Sequence, residues 1–446
     1  MTEIIQFEDK HLAHFAYAMI SGDEMAVIDP ARDPQPYYDL AKKHGATIKA
    51  VIETHPHADF ISSHKEIQAH TGATIHVSKL LGAEYPHQSF DEGDTIQIGK
   101  VSLQAINTPG HSPDSICILL VNEQGKKEAV FTGDTLFIGD CGRPDLRETA
   151  GAITSERKEL AANMYHSLRD KLMVLPDDVI VYPAHGAGSL CGKGLSKANS
   201  STIGQEKATN WSLQPASEQH FINELLDNQP FVPKYFVHSV ELNKKGAPDV
   251  ADALNKIVVS EELPAGINDA VIIDTRDESI FKKGHLPGAI NLMDDTKFET
   301  WLGSVVSPGE KFYLVADTRQ RTNELLQRIS KIGYEGQVIK AFASGQAGNE
   351  TEDKIDLEAF QRTPDDYTIV DIRNRSEVKN KKVFVNAIEI PLPELRERVQ
   401  EIPSGKPVVV HCAGGYRSAA GAAIIKQALQ GDNVPVYDLS YDIKKF

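Results

Sequence analysis

Short apolar runs recur along the first half of the chain, each closed by turn residues. Ala26-Val27-Ile28-Asp29-Pro30, Ile48-Lys49-Ala50-Val51-Ile52, Val101 to Ile106, Ile116 to Val121, Ala129 to Phe131 and Val179 to Tyr182 have the length and composition of buried strands. Between them, Pro36 to His44 reads as a short helix, and Glu156 to Leu172 has the apolar spacing of an amphipathic one. Residues 1 to 245 are therefore expected to alternate strands and helices. Gly186 to Gly204 is rich in Gly, Ser and Lys and predicts a mobile loop able to act as a lid. Pro230-Phe231-Val232-Pro233-Lys234-Tyr235-Phe236, followed by Asn243-Lys244-Lys245-Gly246, reads as the end of a domain and a linker.

The remainder of the chain repeats itself. Asp274-Thr275-Arg276 returns as Asp371-Ile372-Arg373, Ala289-Ile290-Asn291-Leu292 as Ala387-Ile388-Glu389-Ile390, and Arg321-Thr322 as Arg417-Ser418, all at offsets of 96 to 98 residues. Nearly constant offsets predict two copies of one α/β domain of about 100 residues. Three domains are expected: 1–245, 246–350 and 351–446.

Length and composition agree with several cores, since 446 residues exceed what one core holds and 41% are hydrophobic. A formal net charge of -16 argues against nucleic acid or an anionic membrane as the main partner. No apolar run is long enough to span a bilayer, and the first residues have neither the basic start nor the apolar core of a signal peptide. Cys117, Cys141, Cys191 and Cys412 show no paired spacing, which fits reduced thiols and a cytoplasmic location.

Candidate chemistry begins at Thr54-His55-Pro56-His57-Ala58-Asp59-Phe60, directly behind the strand signal ending at Ile52. Metal-binding side chains at alternate positions can fan toward one point where the backbone leaves a sheet. His111, Asp134 and His185 follow, each behind its own strand, so four loops are expected to share one rim. This order resembles the metallo-β-lactamase superfamily, whose αββα sandwich places such loops around a metal pocket. Its glyoxalase-II-type hydrolases bind two metals and use a His directly after the motif's Asp; this chain has Phe60 there.

The chain is more similar to the persulfide dioxygenase branch, which shares the Thr-His-x-His-Ala-Asp start and the run seen here as Gly133-Asp134 with Cys141-Gly142-Arg143. That resemblance implies one Fe(II) per chain on His55, His111 and Asp134, with O2 as co-substrate. Two His and one carboxylate leave positions open for O2 and substrate. His57, Asp59 and His185 would then orient ligands or water, or be remnants of a second metal site. The implied substrate is a small persulfide of glutathione, coenzyme A, cysteine or bacillithiol, converted to sulfite and thiol in sulfide detoxification. A homo-oligomer is expected, because the family's catalytic domains often dimerise. Arg143 either steers an anionic persulfide or makes a structural salt bridge. Cys191 either relays a persulfide to the iron or is an ordinary loop thiol. Cys117 is expected in the core, and Cys141 in a structural turn.

A second constellation lies in the last repeat, where Pro407-Val408-Val409-Val410-His411 delivers Cys412-Ala413-Gly414-Gly415-Tyr416-Arg417-Ser418 and a helix. Glycines that turn backbone N–H groups inward, together with a helix N-terminus, favour a nucleophilic thiolate. The loop resembles the active loop of the rhodanese sulfurtransferases, Cys and Arg with four residues between; Gly284-His285-Leu286-Pro287-Gly288-Ala289-Ile290-Asn291 is another stretch of that family. The resemblance implies sulfane-sulfur transfer by Cys412 and Arg417, with Gly414, Gly415 and Ser418 as further binding candidates and sulfite or thiosulfate as partner. Protein tyrosine phosphatases, with one more residue in the loop, are the competing likeness. In the first copy Ala316 falls where Cys412 stands, so that copy is expected to have kept the fold and lost the chemistry. Two other readings stay open: a binuclear zinc thioester hydrolase with a rhodanese appendage, and a non-enzymatic persulfide carrier or sensor.

Overall fold

The computed structural model describes residues 2–146, 154–264, 266–267, 270–345 and 348–446. Two compact units emerge: Met1–Asp252 with Lys331–Gly333, and Ala253–Ser330 with Tyr334–Phe446.

The first unit is built on two six-stranded sheets. In one, Thr2–Asp9, His14–Ser21, Glu24–Ile28, Thr47–Ile52, Thr74–Val77 and Gln88–Ser89 lie in chain order. The first three pair antiparallel, and the rest join in parallel. In the other the order is Ser201–Thr202, Ile180–Pro183, Lys127–Gly133, Ile116–Val121, Val101–Asn107, Thr95–Ile98.

The period of two along a strand decides which layer each side chain enters. From His14–Ser21, Phe15, Tyr17 and Met19 enter the cluster that holds Leu103, Ile118 and Phe131 of the facing sheet. Ala16, Ala18 and Ile20 enter the opposite cluster, with Tyr37 of helix Gln35–His44 and Ile67 of helix His64–Thr71. The whole strand is buried because both its faces are covered. Beyond the second sheet, Leu119, Val130 and Val181 pack against Ala161, Met164 and Leu168. Ala161 and Met164 lie on helix Thr154–His166, and Leu168 on the π-helical turn Ser167–Leu172 that follows it. Helix, sheet, sheet and helix make the αββα sandwich.

Two features depart from the sequence reading. Thr2–Asp9 and His14–Ser21 form a hairpin at the sheet edge for which no strand was expected. Asn243-Lys244-Lys245, expected in a linker, ends the helix Tyr235–Lys245, with Gly246 closing it. Among the described residues no helix is long and apolar enough to cross a membrane, and all four cysteines are free and buried.

The second unit holds two parallel sheets. One runs Val259–Ser260, Val338–Ala343, Phe312–Ala316, Val271–Asp274, Ala289–Asn291; the other runs Ile388–Glu389, Thr368–Asp371, Val408–His411, Val436–Asp438. Val271–Asp274 and Thr368–Asp371 are the repeat's equivalent strands. Each ends in the same buried ion pair, Arg276 on Asp274 at 2.6 Å and Arg373 on Asp371 at 2.5 Å. That pair is the structural content of the repeated Asp-x-Arg. Helices Arg319–Ser330 and Tyr416–Ala428 follow the equivalent strands Phe312–Ala316 and Val408–His411.

Candidate functional site

The first site is assembled by loops that leave the ends of strands. His55 follows Thr47–Ile52, His111 follows Val101–Asn107, Asp134 follows Lys127–Gly133 and His185 follows Ile180–Pro183. His55 Nε2 lies 3.8 Å and His111 Nε2 3.4 Å from Asp134 Oδ2. One ligand atom from each of the three residues falls within 4.8 Å of the others.

Hydrogen bonds on the far side of each imidazole fix which nitrogen faces inward. Thr54 Oγ1 donates to Asp29 Oδ2 at 2.8 Å, so its contact with His55 Nδ1 at 3.0 Å makes that nitrogen the donor. His111 Nδ1 donates to the Arg143 carbonyl at 2.8 Å. Both Nε2 atoms are thereby left as lone-pair donors toward Asp134. Gly142 lets the Arg143 carbonyl come this close: a Cβ there would sit 1.9 Å from the Asp134 carbonyl oxygen.

Asp134 faces two ways. Its Oδ1 lies 3.5 Å from His185 Nε2, which is also 3.5 Å from Asp59 Oδ2. Asp59, His185 and Cys191 form a second cluster of ligand atoms within 4.8 Å. Burial and the carboxylates of Asp134 and Asp59 push the Cys191 thiol well up. Among the described residues the basic groups facing Asp59 and Asp134 are histidines only. Two buried carboxylates without hydrogen bonds to Asp134 or to Asp59 Oδ1 are costly unless a cation joins them. The donor set fits a metal.

His57 does not join either cluster. Its Nε2 is 3.1 Å from Asp29 Oδ1 and 3.3 Å from Glu53 Oε2. Burial opposes a charge on this ring, but the two carboxylates outweigh it and hold its pKa well above the ordinary value. Phe60 is buried against His14 and His57, with ring centroids 3.9 and 4.3 Å away.

Asn243 is a residue the sequence reading missed. Its amide donates to the carbonyls of His57 and Phe60 at 2.8 Å each and accepts from Ser62 N at 2.9 Å, clamping the motif loop. Asp29, held at φ 49, likewise anchors Thr54 through backbone and hydroxyl. In the sequence Asp29 shows only as the residue that ends a strand.

Arg143 adopts the salt-bridge alternative. Its guanidinium is buried, paired with both oxygens of Asp145 at 2.6 Å and near the Leu190 carbonyl. Cys191 is buried rather than displayed on a loose lid: its carbonyl accepts from Arg143 N, and Asp140 Oδ2 accepts from the N–H groups of Lys193 and Gly194. Cys117 sits in the core, its thiol pushed up to about 11 by burial.

The second site is the loop after Val408–His411. Gly415 N donates to Cys412 Sγ at 3.1 Å, Ser418 Oγ lies 3.7 Å from that sulfur, and the same hydroxyl donates to the Gly415 carbonyl at 2.9 Å. Gly415 has φ 105, and Gly414 faces open space. Arg417 binds Glu377 through two hydrogen bonds of 2.6 and 2.7 Å, and its guanidinium lies 5.3 Å from the ring centre of Trp301 in the other copy. Tyr416 Oη donates to the Met293 carbonyl at 2.8 Å, again across the copies. The Cys-less copy thus supports the loop that holds the sulfur.

Known proteins are similar to this chain. The model of the metallo-β-lactamase superfamily matches residues 10–185. The mitochondrial persulfide dioxygenase ETHE1 of Mus musculus is 31% identical over 222 residues, which are 48% of this chain and 76% of that protein. The chain belongs to the metallo-β-lactamase superfamily. Its metallo-β-lactamase domain has persulfide dioxygenase homologues, and the rhodanese-like domain model matches residues 259–341 and 356–443 behind it. A metallo-β-lactamase crystal structure from Staphylococcus aureus superposes with a TM-score of 0.70 at 31% identity, over 76% of this chain and 98% of that one. That extent carries the likeness beyond the first unit. The cytoplasmic hydroxyacylglutathione hydrolase of Arabidopsis thaliana is 31% identical over 176 residues, 39% of this chain and 63% of that protein.

Proposed function

We propose that residues 1–245 form a non-haem Fe(II) persulfide dioxygenase, that 351–446 form a rhodanese sulfurtransferase, and that the Cys-less copy, 246–350, serves as its scaffold. The donor set carries this reading. Two imidazoles and one carboxylate, His55, His111 and Asp134, converge, whereas His57 is engaged by Asp29 and Glu53. Such a set leaves room for both a sulfur ligand and O2. Relatives named as persulfide dioxygenases support it, as does Phe60 at the position where the two-metal hydrolases use a His.

Bound Fe(II) supplies the redox chemistry by which O2 oxidises a sulfane sulfur. The protein's part is positional. Thr54 and the Arg143 carbonyl hold the two imidazoles in the ligating tautomer, and Asn243 fixes the loop that carries His55. The buried setting keeps bulk water from the reacting sulfur. In the net reaction a persulfide R-S-SH, O2 and water give R-SH, sulfite and two protons.

At the second site the Cys412 sulfur attacks the outer sulfur of thiosulfate. The S–S bond breaks, sulfite leaves with its electron pair, and the enzyme keeps the sulfur as Cys412-S-S⁻; the reverse step makes thiosulfate from sulfite. Gly415 N, which faces the sulfur, stabilises the anionic form. Coupling the two sites would consume sulfite where it is made, in sulfide detoxification.

Oxygen uptake by anaerobically Fe(II)-loaded protein, given glutathione persulfide or coenzyme A persulfide, tests the reading. Uptake matched by sulfite and thiosulfate is expected. No uptake, with thioester hydrolysis by zinc-loaded protein, would assign the first domain to hydrolysis instead.

A further inference from the structure

The copy without a nucleophile contributes acids beside the sulfur loop. A cavity of about 420 Å³ is lined by Tyr416 and Tyr441 of the second copy and by Asp277, Asp295 and Asp317 of the first. It adjoins the sulfur. Tyr416 stands between Gly415 and Arg417, and Tyr441 N would lie 3.0 Å from a Cβ at Gly415, whose N–H donates to Cys412 Sγ. Burial, Glu278, Asp277, Asp295 and the Cys412 sulfur all raise the Tyr441 hydroxyl, so one ring meets the acids and the sulfur together.

These carboxylates are not offset. Asp277 and Asp295 accept from Ser279 and Thr296, their neighbours in sequence, and all three acids are exposed. Arg321, the one cation in the lining, is taken by Asp294, which lines the cavity too, and by Glu324. Lys444, 5.5 Å from the centre of the Tyr441 ring, is outside the lining. The cation on the sulfur's own loop is also engaged: both terminal nitrogens of Arg417 bind Glu377, at 2.6 and 2.7 Å. An anionic donor entering this cavity therefore meets three unpaired carboxylates and no unpaired cation.

We infer that the sulfur donor of Cys412 is an aminothiol persulfide, its ammonium seated among Asp277, Asp295 and Asp317 and its outer sulfur directed at Cys412; this rests on Cys412 being the sulfurtransferase nucleophile. Of glutathione, coenzyme A, cysteine and bacillithiol, cysteine is the smallest carrier that brings an ammonium, and coenzyme A brings phosphates that the acids repel. In the transfer the Cys412 thiolate attacks the outer sulfur of R-S-SH. The S–S bond breaks, R-S⁻ leaves with its electron pair, and the enzyme keeps Cys412-S-SH. All the acids come from the first copy, so the copy that lost the nucleophile selects the donor for the copy that kept it.

Cysteamine persulfide and N-acetylcysteamine persulfide, the second lacking only the ammonium, test this on the full-length chain without oxygen. Sulfur added to Cys412 is read by mass, and its transfer to cyanide by rate. The kcat/KM of the cysteamine donor should be at least about tenfold the higher, and the ratio should fall toward one as salt screens the carboxylates. Asp277→Asn, Asp295→Asn and Asp317→Asn together should bring the ratio to within about twofold of one. The same triple variant should take sulfur from coenzyme A persulfide faster than the wild type does, a gain that a misfolded chain cannot show; asparagine keeps the cap that Asp277 makes on Ser279 N. A wild-type ratio near one, or a ratio that neither salt nor the triple variant moves, overturns the inference and leaves Cys412 a sulfurtransferase. Sulfur delivered to Cys412 by none of these donors overturns the sulfurtransferase reading, and the inference with it.

Discussion

Both rhodanese-like copies end a buried central strand and begin a helix a few residues later, but only the second closes its backbone around a sulfur. Ala316 and Cys412 occupy equivalent places at these strand ends. In the second copy Gly414 and Gly415 let the chain curl until an N–H meets Sγ at 3.1 Å. The first copy has Thr318 and Arg319 in that stretch; Thr318 Oγ1 accepts from Arg321 N at 3.2 Å, and the loop becomes an ordinary helix start. The arginines diverge as well. Arg417 binds Glu377 beside the sulfur, and Arg321 is drawn to Asp294 and Glu324. The proposed sulfur chemistry would therefore reside in the loop, while the strands, helices and Asp-x-Arg pairs are common scaffold.

The sharpest way to break this contrast is to move the nucleophile. Cys412→Ser should lower thiosulfate sulfurtransfer on the order of 10³-fold or more and leave oxygen uptake at the first site unchanged. Adding Ala316→Cys to that variant should restore nothing, because the first copy lacks the glycine curl. Cyanide-dependent thiocyanate formation measures both. Recovery above about a hundredth of the wild-type rate would show that the strand end alone suffices.

The shared scaffold makes the next prediction. Asp274→Asn and Asp371→Asn each leave a buried arginine without its carboxylate, a loss of about 3 kcal/mol. Denaturant unfolding followed separately for each copy should show similar losses in both. A large effect in the second copy only would mean that its pair serves the active loop rather than the fold.

Between these lies the loop itself. Gly415→Ala must hold φ near 105 with its Cβ 3.0 Å from Tyr441 N. A strain of about 1–3 kcal/mol follows, read as a sulfurtransfer rate lowered roughly 10- to 100-fold with the fold retained.

What could be read from the sequence divides along the same line. His55, His111, Asp134 and Cys412 were legible because each directly follows an apolar strand, where a local pattern places the side chain. The repeat was legible because the ion pairs preserve its spacing. Asn243 was not: its partners His57 and Phe60 are 186 and 183 residues away, and a polar residue near a helix end looks like any solvated one. Asp29 was missed for the same reason, since only the fold brings it to His57, whereas Glu53 stands four residues before His57 and was passed over beside the metal-binding pattern. The first strand of the edge hairpin escaped because Gln6, Glu8 and Asp9 break the apolar run in a strand that is only half covered, whereas the second, Phe15 to Ile20, is an unbroken apolar run that was passed over. Cys191 misled because a Gly- and Ser-rich loop reads as mobile, whereas here Asp140 and Arg143 tie it down through backbone groups that carry no sequence signal.

The smallest effect tests the divergence of the two arginines. Burial alone would raise the carboxyl of Glu377, but its pair with Arg417 outweighs this and holds it below the usual range. A carboxyl depressed by folding stabilises the native state in full above its unfolded value of about 4.3 and loses that contribution as pH falls through the lower folded value. With Glu377 about a third exposed, the contribution is about 1 kcal/mol at neutral pH. Glu377→Gln should therefore destabilise the second copy at pH 7, and the gap to wild type should close progressively as the solution is taken below about pH 4. In the first copy Arg321 holds Glu324 low as well, through an exposed hydrogen bond, so Glu324→Gln should leave the acid limb nearly unmoved. Equal pH responses of the two variants would mean that the Arg417 pair is only a surface contact. A response confined to Glu377→Gln, with sulfurtransfer falling alongside, would make the same arginine a brace of the sulfur loop in one copy and a helix-surface residue in the other.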